Sequence, residues 1–180
     1  SKINTACYVV RVLKEELPIA SLMQFYYAYV QSIISYGIVF WYISSEWNKV
    51  FITQKRFLRI ILDLPSKESC RSFFKKLGIM TVTSLYMFKL IMYVRSNETS
   101  FEKNRDLYSR MTTRGNAYLS VPKHKTRCFE KGPHYRAILA YNSLPSTIIN
   151  IRETNKFKWE LKKYLIDKEY YSFDEVLNRC

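Results

Sequence analysis

Apolar residues recur at helical spacing through most of this chain, and the repeats break where a helix has to end. In residues 4–17, Tyr8, Val9, Val12 and Leu13 share a face, with Arg11, Lys14 and Glu15 largely opposite. Pro18 ends that helix and suits the first turn of a second, which runs to about Tyr36 with Gly37 as its stop or bend. There Leu22, Phe25, Tyr29, Ile33 and Tyr36 form the expected apolar stripe, beside a small or polar one of Gln24, Ala28, Gln31 and Ser35. GIVFWY (37–42) fits a helical extension or a short extended piece.

The stretch from Ile33 to Pro65 organises the rest. Its first half is apolar and aromatic; its second, VFITQKRFLRIILDLP, reads as a helix with a basic face over an apolar one. Ser44 or Ser45 can cap this helix, with Glu46 in its first turn complementing the positive helix end. Val50, Phe57, Leu58 and Ile61 are its expected buried stripe, and Lys55 and Arg59, four apart, project together beside Arg56. Ser66 or Ser69 then opens a short helix over Cys70–Leu77, closed by Gly78. Thr81 or Thr83 starts the next, with Leu85, Phe88, Met92 and Tyr93 facing inward as far as Arg95.

From about Ser96 to Lys131 the periodicity stops. Between Leu107 and Arg136 stand seven basic residues (Arg110, Arg114, Lys123, Lys125, Arg127, Lys131, Arg136) against one acidic, Glu130, with Tyr108, Tyr118 and Phe129 interleaved. Such a segment can track a phosphate backbone with its cations and stack bases on its rings; equally, it is what an exposed linker pinned by a few aromatics looks like. Helical character returns at Gly132-Pro133, with Tyr135, Ile138, Leu139 and Asn142 on the expected inner face, and breaks at Leu144-Pro145. Phe157, Leu161, Tyr164 and Leu165 define an amphipathic helix edged by Lys156, Lys158, Lys162 and Lys163, and Ser172 with Glu175 is a capping-box pattern for a last helix over Phe173–Asn178.

Composition narrows the class. Four glycines and five prolines in 180 residues favour an all-α chain over a turn-rich β fold. The net charge of +14 favours an anionic partner, nucleic acid before a membrane surface. No charged residue lies between Glu16 and Glu46, a window long enough to span a bilayer, but its glutamines, serines and five tyrosines suit a helix buried in protein. No membrane partner is therefore expected. Cys7, Cys70, Cys128 and Cys180 have neither a CxxC pair nor a zinc spacing with His124 or His134, which fits free thiols in a reduced, intracellular (nuclear or cytoplasmic) setting. Nothing at the start resembles a signal peptide, and Ser1 in place of Met points to a piece of something longer.

No catalytic centre is legible. Glycines at 37, 78, 115 and 132 form no phosphate-cradling loop, and Asp63, Asp106, Asp167 and Asp174 are isolated from one another, unlike the paired carboxylates that two-metal chemistry needs. No catalytic or metal-ligating residue and no cofactor is assigned to this chain.

SYGIVFW (35–41), FITQKRFLRIILDLPSKESCR (51–71), KKLGIMTVTSLYMFKLIMYVR (75–95), TTRGN (112–116), YNSLP (141–145) and FKWELKKYLIDKEYYSFDEVL (157–177) together resemble the region after the polymerase palm in insect-type non-LTR retrotransposon reverse transcriptases, the jockey-like and LINE-like elements. Tyr42 and Asp63 depart from that pattern; at Asp63, before Leu-Pro, glycine is expected. The resemblance implies a thumb-like helical bundle over 1–95, a basic connector over 96–131 and a smaller helical C-terminal part over 132–180. It implies a non-catalytic piece of an RNA-directed DNA polymerase, whose magnesium and catalytic aspartates belong to an upstream palm domain. Expected partners are template RNA, RNA–DNA hybrid or target DNA, and that palm. Lys55, Arg56 and Arg59 are expected on duplex phosphates, and Arg114, Lys123, Lys125, Arg127 and Lys131 on an RNA or DNA backbone. The rivals are a helical protein-interaction module or a degenerate element relic, and an independently active enzyme.

Overall fold

All six residues from position 82 to position 87 are buried, the polar Thr83 and Ser84 among them. They open the central helix of the molecule. The computed structural model describes residues 2–104, 118–123 and 125–177, leaving out the Arg127 side chain. Its helices are α1 (Lys2–Leu13), α2 (Ile19–Phe25), a π-helical turn (Tyr26–Gln31), α3 (Ser32–Ser35), α4 (Ile38–Trp41), α5 (Trp47–Leu62), α6 (Arg71–Lys76), α7 (Val82–Ser96), a 3₁₀ turn (Glu98–Ser100), α8 (Arg127–Lys131), α9 (Pro133–Asn142), α10 (Ser146–Ile149), α11 (Thr154–Lys168) and α12 (Asp174–Leu177). Among the described residues the only β feature is one isolated bridge, Lys103 with Leu119, so the fold is all-α. No helix among them is long and apolar enough to cross a membrane.

Helix α7 packs against α3, α4, α5, α9 and α11, while α1 lies along α5. One cluster of buried side chains runs from Ile3 to Val176, so 1–95 and 132–180 contribute to a common core.

Element positions agree with the apolar spacing, but several faces are rotated from expectation. On α1 the buried residues are Ile3, Ala6, Cys7 and Val10; Tyr8 is 67 % exposed and Val12 points outward as well. Two apolar stripes compete on this helix, and the one carrying Ala6 and Cys7 lets α1 approach α5 more closely. In the second helical stretch the buried residues are Leu22, Tyr26, Val30, Ile34 and Ile38, and Tyr36 is 86 % exposed. A spacing of four throughout would drift by about 40° per step around an α-helix. The wider π-helical turn takes up that drift and keeps the row on one side. On α7, Tyr93 is exposed, because the core takes the neighbouring row of Leu90, Ile91 and Val94 and leaves position 93 on the outer side. The expected irregular connector contains α8, and buried Leu119 anchors it: Asn142 on α9 accepts from the Leu119 N–H and donates to the Leu119 carbonyl, both at 2.9 Å.

The start of α7 is fixed by polar side chains that the core encloses completely. Gln54 of α5 is fully buried, and its Nε2 donates to Tyr26 Oη (2.7 Å) in the π-helical turn and to the Met80 carbonyl (3.0 Å). Its Oε1 accepts from the Val82 N–H (3.1 Å), a donor that the first turn of α7 cannot satisfy internally. The backbone partners also fix the amide's orientation, since a flipped side chain would set NH₂ against N–H. Thr81 caps α7 by accepting from the Ser84 N–H (3.0 Å) and donates to the Tyr170 carbonyl; Thr83 donates to the Tyr171 carbonyl and Ser84 to that of Leu165. These bonds stitch the C-terminal segment to the middle of the chain. Ser172 accepts from the Glu175 N–H (3.3 Å), and Glu175 in turn takes the Tyr171 N–H and pairs with Arg71 (2.8 Å).

Gln54→Leu leaves the Tyr26 hydroxyl, the Met80 carbonyl and the Val82 N–H without this partner, and should cost about 2–4 kcal/mol in urea unfolding followed by circular dichroism. Tyr26→Phe removes one bond of the same set and should cost about 1 kcal/mol. An equal or smaller loss for Gln54→Leu would deny the glutamine this role.

Candidate nucleic-acid interface

Where α1 and α5 run side by side, the buried row of α1 continues into cations. Positions 7, 11 and 14 follow one another at helical spacing, so the stripe that buries Cys7 brings Arg11 and Lys14 to the same side. Helix α5 turns Arg56 and Ile60 toward them, and Arg59 lies one position before Ile60. Together Arg11, Lys14, Arg56 and Arg59 line an open cleft of about 490 Å³, floored by Ile60, Leu64 and Pro65. Burial pushes the Cys7 thiol pKa up, and the charges of Arg56 and then Arg11 pull it back.

The cleft has one acidic lining residue, Asp63, which pairs with Lys14. Asp63 ends α5 with a left-handed backbone (φ 52°), a conformation that glycine adopts most easily and aspartate tolerates. The residue that departs from the expected glycine thus keeps the glycine-like turn and adds a carboxylate. Arg59 is held by its Nη2, which donates to the Glu68 carbonyl at 3.0 Å, while its buried Nε has no hydrogen-bond partner among the described residues. Arg11 and Arg56 are exposed and form no ion pair among the described residues.

The three α5 cations named from the sequence do not act as one group. Arg56 and Arg59 line the cleft. Lys55 turns to the other side, its Nζ 4.5 Å from the Phe51 ring centroid and 5.6 Å from that of Tyr171. Burial, with the Arg59 charge second, lowers the Lys55 pKa from the ordinary lysine value. The Lys55 ammonium therefore lies apart from the residues that line the cleft. Lys123 and Lys125 are exposed ahead of α8, and Lys131 is exposed at the end of that helix. Helix α8 packs on α9, so these lysines belong to a different part of the surface from the α1–α5 cleft. The Arg127 side chain and all of Arg114 lie outside the described residues, as does His124.

The apolar spacing of α1 sets Arg11 and Lys14 opposite its expected inner face, so the sequence does not nominate them for this cleft. Their spacing from Cys7 was the available signal. Among the described residues, no three His, Cys, Asp or Glu side chains are grouped so as to hold a metal ion.

Comparison with protein-family models, with curated proteins and with solved structures finds no match to this chain.

Asp63→Gly relieves a left-handed aspartate, worth about 1 kcal/mol, and removes an exposed ion pair worth at most about that much. Stability should change little, while the protein should elute from immobilised heparin at higher salt. Elution at lower salt would contradict the view that Asp63 masks the cleft.

Proposed function

We propose that this chain holds nucleic acid by its phosphates, as the thumb and C-terminal part of a non-LTR retrotransposon reverse transcriptase would, and that it performs no chemistry itself. The retrotransposon assignment rests on the ordered sequence words around Trp41, Gln54–Arg56, Glu68–Arg71 and Asn142–Pro145. The binding reading rests on the cleft, which gathers four cations from two helices on a packed frame. Guanidinium groups fixed on helices suit phosphate contact, because less freedom is lost when each hydrogen bond forms. A duplex or hybrid backbone is the ligand of choice, since the cleft offers charge without an aromatic platform. Lys123, Lys125 and Lys131 extend the cationic surface on the α8–α9 side.

A second reading, contact with a protein such as an upstream palm, draws on Tyr36 and Phe40. These are 86 % and 76 % exposed on either side of Gly37, two large apolar side chains close together in sequence that a partner could cover.

Equilibrium binding of an RNA–DNA hybrid across a salt series separates the two. Affinity should fall linearly in log–log coordinates, and Arg11→Ala, Arg56→Ala and Arg59→Ala should each flatten the slope by about 1. Lys55→Ala should leave the slope unchanged. Binding insensitive to salt, or no binding at low salt, would remove the nucleic-acid reading.

A further inference from the structure

Helix α11 carries a second cationic surface with different chemistry. Its inner side is spent on the core through Phe157, Leu161 and Leu165. Its outer side carries Lys156, Lys158, Lys162 and Lys163, all exposed, on the same helix as Trp159, which is itself 61 % exposed. Positions 159, 162 and 163 are neighbours on a helix surface, and Lys163 Nζ lies 5.1 Å from the Trp159 ring centroid. Lys162 reaches across to the Tyr27 ring, 5.8 Å away. Of the nearby carboxylates, Asp167 is already paired with Lys75, and Glu160 is half-buried in the depression that Lys163 also lines.

We infer that this face is a contact for single-stranded nucleic acid, in which Trp159 stacks on an unpaired base while Lys156, Lys158, Lys162 and Lys163 hold the flanking phosphates. The inference rests on the nucleic-acid reading above and adds to it a site that discriminates strands. An exposed flat ring with one cation beside it and three more on the same helix matches a polymer that presents bases and phosphates in alternation. In a duplex the base faces are already stacked, so the ring has nothing to grip. An anionic membrane is the weaker match: the outward side of α11 presents one large apolar residue, whereas interfacial helices bury a whole apolar face, and that face of α11 is occupied by the core.

Trp159 supplies the test, using the full chain, an unstructured oligo(U) and an RNA–DNA hybrid of equal length. Oligo(U) should quench the tryptophan emission. Trp159→Ala should abolish most of that quenching and weaken oligo(U) binding about tenfold, a stack of ordinary strength. Hybrid affinity should stay within about twofold, and Trp159→Phe should recover much of the oligo(U) affinity. Because Trp159 is exposed, an unchanged circular dichroism spectrum is expected for both variants. Oligo(U) binding that is indifferent to Trp159→Ala would overturn the proposal while leaving the phosphate cleft intact. No binding of either ligand by the unaltered chain would overturn both readings. Binding to phosphatidylserine vesicles but not to oligo(U), lost in Trp159→Ala, would reassign the face to a membrane.

Discussion

A fully buried glutamine has to satisfy its amide inside the protein, and Gln54 does so by joining three elements that are far apart in sequence. It bonds the π-helical turn through Tyr26, the approach to α7 through Met80 and the first free N–H of α7 through Val82. Leaving any of these groups bare in a dry core would cost more than the bond itself contributes in water. The arrangement therefore sets the rotation of α5 about its axis. With Gln54 inward, Arg56 has to look toward α1, and Lys55 toward Tyr171 and the 66–71 segment. Burial raises the pKa of the Tyr26 hydroxyl beside Gln54.

The cationic cleft follows from that rotation and from the choice of face on α1. Ala6 and Cys7 permit close approach to α5, and the same helical row then delivers Arg11 and Lys14. Four cations converge with one carboxylate among them, and that carboxylate sits on the left-handed residue that ends α5. Mutual repulsion among the arginines is tolerated because the helices are held by the core beneath, not by the charges. An arriving polyanion would relieve that repulsion, which is the physical basis of the proposed clamp.

The helices themselves were legible from sequence, because proline, glycine and capping residues punctuate them: Pro18, Gly37, Gly78, Thr81 and the Ser172–Glu175 pair all stand at element ends. Their rotations were less so. Row 22–26–30–34–38 defeats a 3.6-residue reading because a π-helical turn lies inside it, and no local residue announces that turn. On α1 both stripes are apolar, and only the partner helix decides between them. For that reason the spacing does not bring Arg11 and Lys14 to the cleft, and the four-residue spacing of Lys55 and Arg59 gives no sign of the Phe51 and Tyr171 rings beside Lys55. Asp63 ends α5 in the left-handed conformation, which nothing in the apolar spacing around it announces.

The most direct test of the account is the arginine side-chain Nε–Hε NMR spectrum of the chain, titrated with an RNA–DNA hybrid and assigned by single Arg→Lys variants. The account predicts that the Arg11, Arg56 and Arg59 signals shift together, with a common dissociation constant that weakens as salt is raised. Saturation of the hybrid with those three signals unmoved, and other arginines shifted in their place, would contradict it.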